Sequence, residues 1–136
     1  MKVIVCVDDG MGMLFNHRRQ SQDSVLRERI LKLTEGKRLW MNHYSAKQFD
    51  LTVAPQINVD DSFLAEAIDG DYIFVETEQL EHYAQWIEEI VLYRWNRKYP
   101  SDLKFDLDLT AWKLNSTDEF AGHSHEKITE EVYIHE

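Results

Sequence analysis

Paired acids after the first apolar run are the first candidates for chemistry in this sequence. Asp8 and Asp9 follow the run from Val3 to Val7. Carboxylates at the carboxyl end of a buried strand can hold Mg²⁺, and Asp106 and Asp108 are candidate further ligands. Turn formation or helix capping is the simpler interpretation, because aspartate side chains readily accept hydrogen bonds from nearby backbone N–H groups.

Two histidines near the C-terminal end form an H-x-H pair, His123 and His125. On a strand, alternate side chains share a face, so both imidazoles could bind one metal ion. Nucleases of the metallo-β-lactamase type continue this pair as H-x-H-x-D-H, whereas Lys127 and Ile128 occupy the last two positions here. An exposed turn is the simpler interpretation, and we predict no metal site.

The only cysteine, Cys6, lies within the first apolar run and is predicted to be a core residue rather than a nucleophile. A single cysteine forms no internal disulfide, which favours a reducing, cytoplasmic location. The sequence contains no G-x-S-x-G, P-loop, C-x-x-C or H-E-x-x-H motif. No common catalytic motif is therefore present.

Composition indicates one globular domain spanning 1–136. The chain has 136 residues, of which 43% are hydrophobic, and a net charge of -10. No apolar run approaches the roughly 18 residues of a membrane span. Residues 69–136 carry six Lys or Arg against sixteen Asp or Glu. This acidity argues against nucleic acid as a partner, because phosphate contacts need a basic surface.

The order of predicted elements indicates an α/β fold. A first helix is predicted at 26–33, with Ser21 or Ser24 as its N-cap and Gly36 as its stop. A second is predicted at 63–68, capped by Asp60 or Asp61, and a third at 80–87, capped by Thr77. Strands are predicted at 3–7, 39–41, 51–53 (a weak edge), 72–75, 90–95, 112–114 and 131–134, with a turn at 118–124 and a half-buried segment at 102–109. This alternation predicts a mostly parallel twisted sheet with flanking helices and a C-terminal antiparallel hairpin.

Several segments occur in the order known from one enzyme family. The first strand and loop read V-D-D-G-M-G-M over 7–13, and 34–41 read T-E-G-K-R-L-W-M. Residues 105–114 resemble an F-P-x-x-D-x-x-x-W-x-L segment, and 90–94 and 131–133 resemble the strands on either side of it. On these segments the chain resembles dihydrofolate reductase. The resemblance implies that family's fold and a ligand cleft at the carboxyl ends of the strands.

The departures from the family pattern fall on its chemistry. The resemblance places the catalytic acid of the first helix at Leu26, and the nearest carboxylates are Asp23 and Glu28. The family binds the cofactor pyrophosphate with glycines after the strand at 72–75, because backbone N–H groups must approach phosphate closely. The corresponding segment, Val75 to Glu78, contains no glycine and two glutamates.

We therefore expect a small-ligand-binding or regulatory domain that has lost NADPH binding and reductase activity, with no cofactor. Gly12, Ser45 and Thr77 are expected to line its cleft. A divergent NADPH-dependent dihydrofolate or pterin reductase, with Asp23 or Glu28 as its acid, is one alternative. An acidic protein-interaction module, possible as a homodimer, is another. Four tryptophans are predicted to be mostly core, or to mark a ligand cleft or partner surface where several are exposed together.

Overall fold

The computed structural model describes residues 1–135 and contains two sheets and three short α-helices. The elements in chain order are β1 Lys2–Val7, β2 Gly12–Phe15, β3 Arg18–Arg19, α1 Ser24–Leu33, β4 Leu39–Met41, α2 His43–Ala46, β5 Ile57–Val59, α3 Phe63–Glu66, β6 Tyr72–Phe74, β7 Glu89–Arg94, β8 Leu103–Lys104, β9 Trp112–Phe120 and β10 Ile128–His135, with 3₁₀ segments at Glu81–Trp86 and Leu109–Ala111. The large sheet has the order β5-β4-β6-β1-β7-β10-β9, and the small sheet has the order β3-β2-β8.

Strand β1 lies at the centre of the large sheet because both of its faces are apolar. It pairs in parallel with β6 and with β7. Val3, Val5 and Val7 belong to one buried cluster, whereas Ile4 belongs to a second. Successive side chains on a strand point to opposite faces, so the two clusters pack on either side of the sheet. The predicted α/β fold with a mostly parallel sheet is confirmed.

The C-terminal hairpin is longer than the sequence indicated. β10 pairs antiparallel with β7 and with β9. Asp118, predicted to open the turn, lies inside β9 and opposite Glu130, and the connecting loop covers 121–127. The apolar pattern missed most of β9 because this edge strand exposes nearly all of its residues, so burial imposes no alternation on its sequence.

Helix α1 buries Leu26 and Ile30, as its spacing predicted, but a different residue begins it. Asp23 is the N-cap, and its carboxylate accepts from the backbone N–H groups of Val25 and Leu26. The predicted caps, Ser21 and Ser24, are therefore wrong. Within residues 1–135 the longest helix is this one, with ten residues, and none there is long and apolar enough to cross a membrane.

Two predicted elements in the middle of the chain are wrong. Residues 51–53 form a turn, and the parallel edge strand is β5 instead. The segment 80–87 does not form an α-helix begun by Thr77 but a 3₁₀ turn over Glu81–Trp86. The backbone N–H groups of Leu80 and Glu81 donate to the carboxylate of Asp106, 2.8 and 3.0 Å away. A long-range carboxylate therefore replaces the local cap.

Two further segments are shorter than predicted. Helix α3 spans only Phe63–Glu66, and its N-cap is Ser62 rather than the predicted Asp60 or Asp61. The Asp60 carboxylate accepts from the Ser62 N–H group. In the segment 102–109 only Leu103 and Lys104 form a strand, which pairs with β2. The rest of that segment is shaped by aspartates that bind backbone N–H groups, which local alternation does not reveal.

Candidate functional site

The carboxyl ends of β4 and β6 meet at the edge of the sheet where the sequence predicted a ligand cleft. Asn42 follows β4 and caps α2, accepting from the Ser45 N–H group at 2.9 Å. Its amide nitrogen donates to the Thr77 hydroxyl at 2.9 Å. The structure thus brings two of the predicted cleft residues, Ser45 and Thr77, to one edge and links them through an asparagine.

Glu76 follows β6, and its side chain lies at the carboxyl ends of β4 and β6. Only 8% of its side chain is exposed. Its carboxylate accepts hydrogen bonds from the Ser45 hydroxyl at 2.8 Å and from the Gln48 amide at 3.2 Å. It also accepts two from the Arg19 guanidinium, at 3.0 and 3.2 Å. The buried charge is therefore both paired and hydrogen-bonded, as a carboxylate in a poorly solvated position requires.

Arg19 reaches this carboxylate from β3, in the hairpin that follows the first strand. Its guanidinium lies over the Tyr44 ring, 4.3 Å from the ring centre. It donates to the Tyr44 carbonyl at 3.2 Å, and the Arg19 backbone N–H group donates to the Tyr44 hydroxyl at 2.8 Å. Stacking and hydrogen bonds act together here. They fasten the β2–β3 hairpin across the ends of β4 and β6.

This packing leaves almost no space at the edge of the sheet. The cavity that remains beside Cys6, Leu26, Trp95 and Glu76 has a volume of about 10 Å³. Such a volume is about the minimum that holds one water molecule.

Gly12 is packed against neighbouring side chains instead of lining open space. A Cβ atom at Gly12 would lie 2.5 Å from the Ser101 Cβ atom. The Gly12 N–H group donates to Asp8, whose carboxylate also accepts from Gly10 and Tyr99. Asp8 therefore organises the turn after β1. These hydrogen bonds match the turn-forming interpretation of Asp8 rather than the magnesium one.

Asp23 and the loop at 121–127 form a second buried cluster. The Asp23 carboxylate accepts from the N–H groups of His123 and Ser124 at 3.0 and 2.9 Å, and from His125 Nδ1 at 2.9 Å. Burial by itself raises the pKa of Asp23, but these hydrogen bonds and that from Leu26 outweigh it and hold the pKa well below 3.8. Asp23 is therefore a charged anchor between α1 and the hairpin loop.

His125 continues this cluster toward Ser21. The carboxylate of Asp23 only accepts, so Nδ1 donates to it, and Nε2 lies 2.9 Å from the Ser21 hydroxyl oxygen. The Tyr99 hydroxyl lies 3.3 Å from the same Nε2 atom, and the ring stacks on Trp95. The order of the three side chains is that of a Ser-His-Asp triad, and the cavity beside them has a volume of only about 10 Å³.

The two histidines of the H-x-H pair do not share a face. They lie on the loop rather than on a strand, with His125 buried and His123 exposed. The simpler prediction, an exposed turn, is also wrong for His125, because Asp23 draws its ring inward. No group of three or more metal-binding side chains occurs among residues 1–135.

Cys6 lies among apolar side chains and close to the carboxylate of Glu76. Burial, and then the charge of Glu76, raise the pKa of the Cys6 thiol well above 9.0. We expect Cys6 to react with iodoacetamide at pH 8 at least tenfold more slowly than free cysteine, because little thiolate is present. Mass spectrometry of timed samples measures this rate. A rate equal to that of free cysteine would contradict the burial of the thiol.

The sequence did not single out Arg19 or Tyr44, although both close the cleft. Arg19 lies in the basic stretch 17–38, which carries seven Lys or Arg against three Asp or Glu, so its charge alone did not distinguish it. The available signal was a glutamate in the place of the family's glycines, since a buried carboxylate there needs a cation. Glu28, the other candidate acid, is exposed on α1.

The fold is similar to that of dihydrofolate reductase from Enterococcus faecalis, solved in complex with NADP(H) and RAB-propyl. The TM-score is 0.70, and the superposition covers 98% of this chain and 95% of that chain at 8% sequence identity. No protein-family model matches the sequence, and no curated protein matches it. The similarity confirms the dihydrofolate reductase-like fold predicted from the sequence segments, and at this identity it establishes the fold alone.

Proposed function

From a dihydrofolate reductase-like fold whose cleft is filled by its own side chains, we propose that this protein is a small-ligand-binding or regulatory domain without NADPH binding or reductase activity. The observation that carries the proposal is the buried ion pair of Arg19 with Glu76. It occupies the edge where the strands β4 and β6 end. A cofactor would have to replace this pair with contacts of at least equal strength.

Occupied space, rather than charge, is the main obstacle to a cofactor phosphate. The carboxylate of Glu76 is neutralised by Arg19, so its repulsion of an anion is largely cancelled. The segment after β6 carries side chains at every position from Val75 to Glu78. A pyrophosphate needs close approach to free backbone N–H groups, which glycines allow and these side chains hinder.

The candidate acids also favour a function other than reduction. A general acid at neutral pH needs a pKa near the working pH. A raised pKa would suit Asp23 to this role, but the hydrogen bonds from His123 and His125 lower its pKa. Glu28 is exposed on the outside of α1. Neither carboxylate is thus suited to protonate a substrate in the cleft.

Titration with NADPH tests the proposal against the alternative of a divergent reductase. Trp95 lines the residual cavity, so its fluorescence reports on binding there. We expect no saturable quenching up to millimolar NADPH and no loss of NADPH absorbance after dihydrofolate is added. Calorimetry repeats the titration without optical interference, and an active dihydrofolate reductase is the positive control. Saturable binding in the micromolar range would reject the proposal and support the reductase.

A protein-interaction role is the second candidate function. Trp86, Ile68 and Leu114 are large apolar side chains that are 55%, 58% and 47% exposed. The first two lie near each other at the edge of the sheet opposite to Glu76. Large exposed apolar side chains that lie together often mark a contact surface.

A further inference from the structure

An apolar groove lies at the amino ends of β1 and β7. Its volume is about 590 Å³, and it is lined chiefly by Leu64, Ala65, Ala67, Ile68, Tyr83 and Trp86. The rings of Tyr83 and Trp86 lie 6.2 Å apart. Trp86 is 55% exposed, whereas the lining residues Leu64, Ala67 and Tyr83 pack against the core. Tryptophan is the side chain most often found to anchor an interface, so its position on this groove favours recognition of another molecule.

The groove lies within the most acidic part of the chain. Residues 48–93 contain eleven Asp or Glu and no Lys or Arg. Asp69 lines the groove, and Glu66 and Glu81 are exposed beside lining residues. Three cations from the neighbouring strands and N-terminus each pair with an acid of this stretch: the Met1 ammonium with Glu88, Lys2 with Glu89 and Arg38 with Asp71. The groove is therefore apolar inside and negatively charged at its rim.

The charge at the rim selects between possible occupants. A second copy of the chain docked by the same face would bring two acidic rims together, and like charges facing each other oppose association. An acidic or neutral segment gains nothing from the rim. A segment with apolar side chains toward the groove and Lys or Arg beside them complements both properties.

We propose that this groove binds an amphipathic, positively charged peptide segment of a partner protein. Its apolar side chains contact Trp86, Tyr83 and Ile68, and its cations face Glu66 and Asp69. This inference deepens the interaction role given above as a second candidate, and it does not depend on the state of the Arg19 cleft. The groove lies at the amino ends of the parallel strands and the Arg19 cleft at their carboxyl ends, so the two can be tested separately.

The probe is a synthetic helical peptide with leucines on one face and lysines on the other. We expect calorimetry at about 0.15 M salt to show saturable one-to-one binding. Trp86→Ala and Ile68→Asp are each expected to weaken binding roughly tenfold or more, the loss typical of an interface anchor. Circular dichroism of each variant establishes that it is folded.

Two controls separate this groove from general attraction to an acidic protein. Phe15→Ala removes another exposed aromatic residue, 45% exposed and outside the groove, and is expected to leave the affinity unchanged. A peptide with the same leucines but glutamates for lysines is expected not to bind. Equal binding of both peptides, equal loss in Phe15→Ala, or unchanged affinity in Trp86→Ala would each overturn the proposal.

The peptide titration is repeated with NADPH present. Peptide binding with no response to NADPH supports the groove proposal and agrees with the loss of cofactor binding. NADPH binding that leaves the peptide affinity unchanged rejects the proposed loss of NADPH binding, but it leaves the groove site supported. Absence of peptide binding under either condition rejects the groove site and has no bearing on the cleft.

Discussion

Arg19→Met is expected to lower the free energy of unfolding by about 3 kcal/mol. The change removes two of the four hydrogen bonds to Glu76 and leaves its carboxylate buried and unpaired. The cation over the Tyr44 ring is lost as well. Urea unfolding followed by far-ultraviolet circular dichroism measures the change. An effect this large follows from desolvation, because an unpaired charge in a buried position is far less stable than in water.

The double variant Arg19→Met/Glu76→Gln is expected to recover more than half of this loss. Glutamine removes the unpaired charge and can still accept from Ser45. Arg38→Met is the matched control, because Arg38 also pairs with a buried carboxylate but is itself 52% exposed. It is expected to lower stability by about 1 kcal/mol or less. A double variant no more stable than Arg19→Met would show that the ion pair is not the source of the effect.

The fold could be predicted largely from apolar strands. Runs such as Val3 to Val7 and Tyr72 to Val75 are buried on both faces, so their composition alone indicates their position in the sheet. Elements that depend on a few hydrogen bonds to a distant residue leave no such pattern in the local sequence. The 3₁₀ segment Glu81–Trp86 depends on Asp106, which lies in a distant part of the chain. Local spacing therefore indicated a helical segment but gave no sign of the distant carboxylate that caps it.

The candidate site could be predicted only in part, because its residues act in pairs from distant segments. Strand order correctly placed Ser45 and Thr77 together at the carboxyl ends of β4 and β6. The pairing of Arg19 with Glu76 could not be predicted in this way. No sequence rule connects a residue of the short strand β3 with a residue that follows β6. Asp23 was likewise considered as a lone acid. Its link to His125 spans most of the chain.

Asp23→Asn is expected to lower the free energy of unfolding by about 3 kcal/mol at pH 7. Asparagine is as good an N-cap as aspartate, so α1 keeps its first turn. The helix cap uses Oδ1, so the amide NH₂ group would take the place of Oδ2 and face donors from Ser124 and His125, which that carboxylate oxygen accepts. The variant therefore isolates the link between α1 and the hairpin loop. Urea unfolding at pH 7 measures the effect.

The same variant gives a defined pH dependence. The pKa of Asp23 is lower in the folded state than its ordinary value of 3.8, so the carboxylate stabilises the fold fully above that value. As the pH falls below 3.8, this contribution is progressively lost. The difference in stability between the wild type and Asp23→Asn is thus expected to be constant from pH 7 to pH 5 and to shrink at pH 3. A difference that grows on acidification would contradict the assigned sign.

Hydrogen exchange locates the effect of Asp23→Asn in the molecule. The amide of Ser124 donates to Asp23 Oδ2 in the folded protein and is expected to lose most of its protection in the variant. The Ser45 amide, which donates to Asn42, is expected to keep its protection. Asp50→Asn is the matched control, because Asp50 forms an exposed turn with Thr52, and it is expected to behave like the wild type. If the Ser124 and Ser45 amides lost protection to the same extent in Asp23→Asn, the variant would be destabilised as a whole. Local release of the loop instead lowers protection at Ser124 alone.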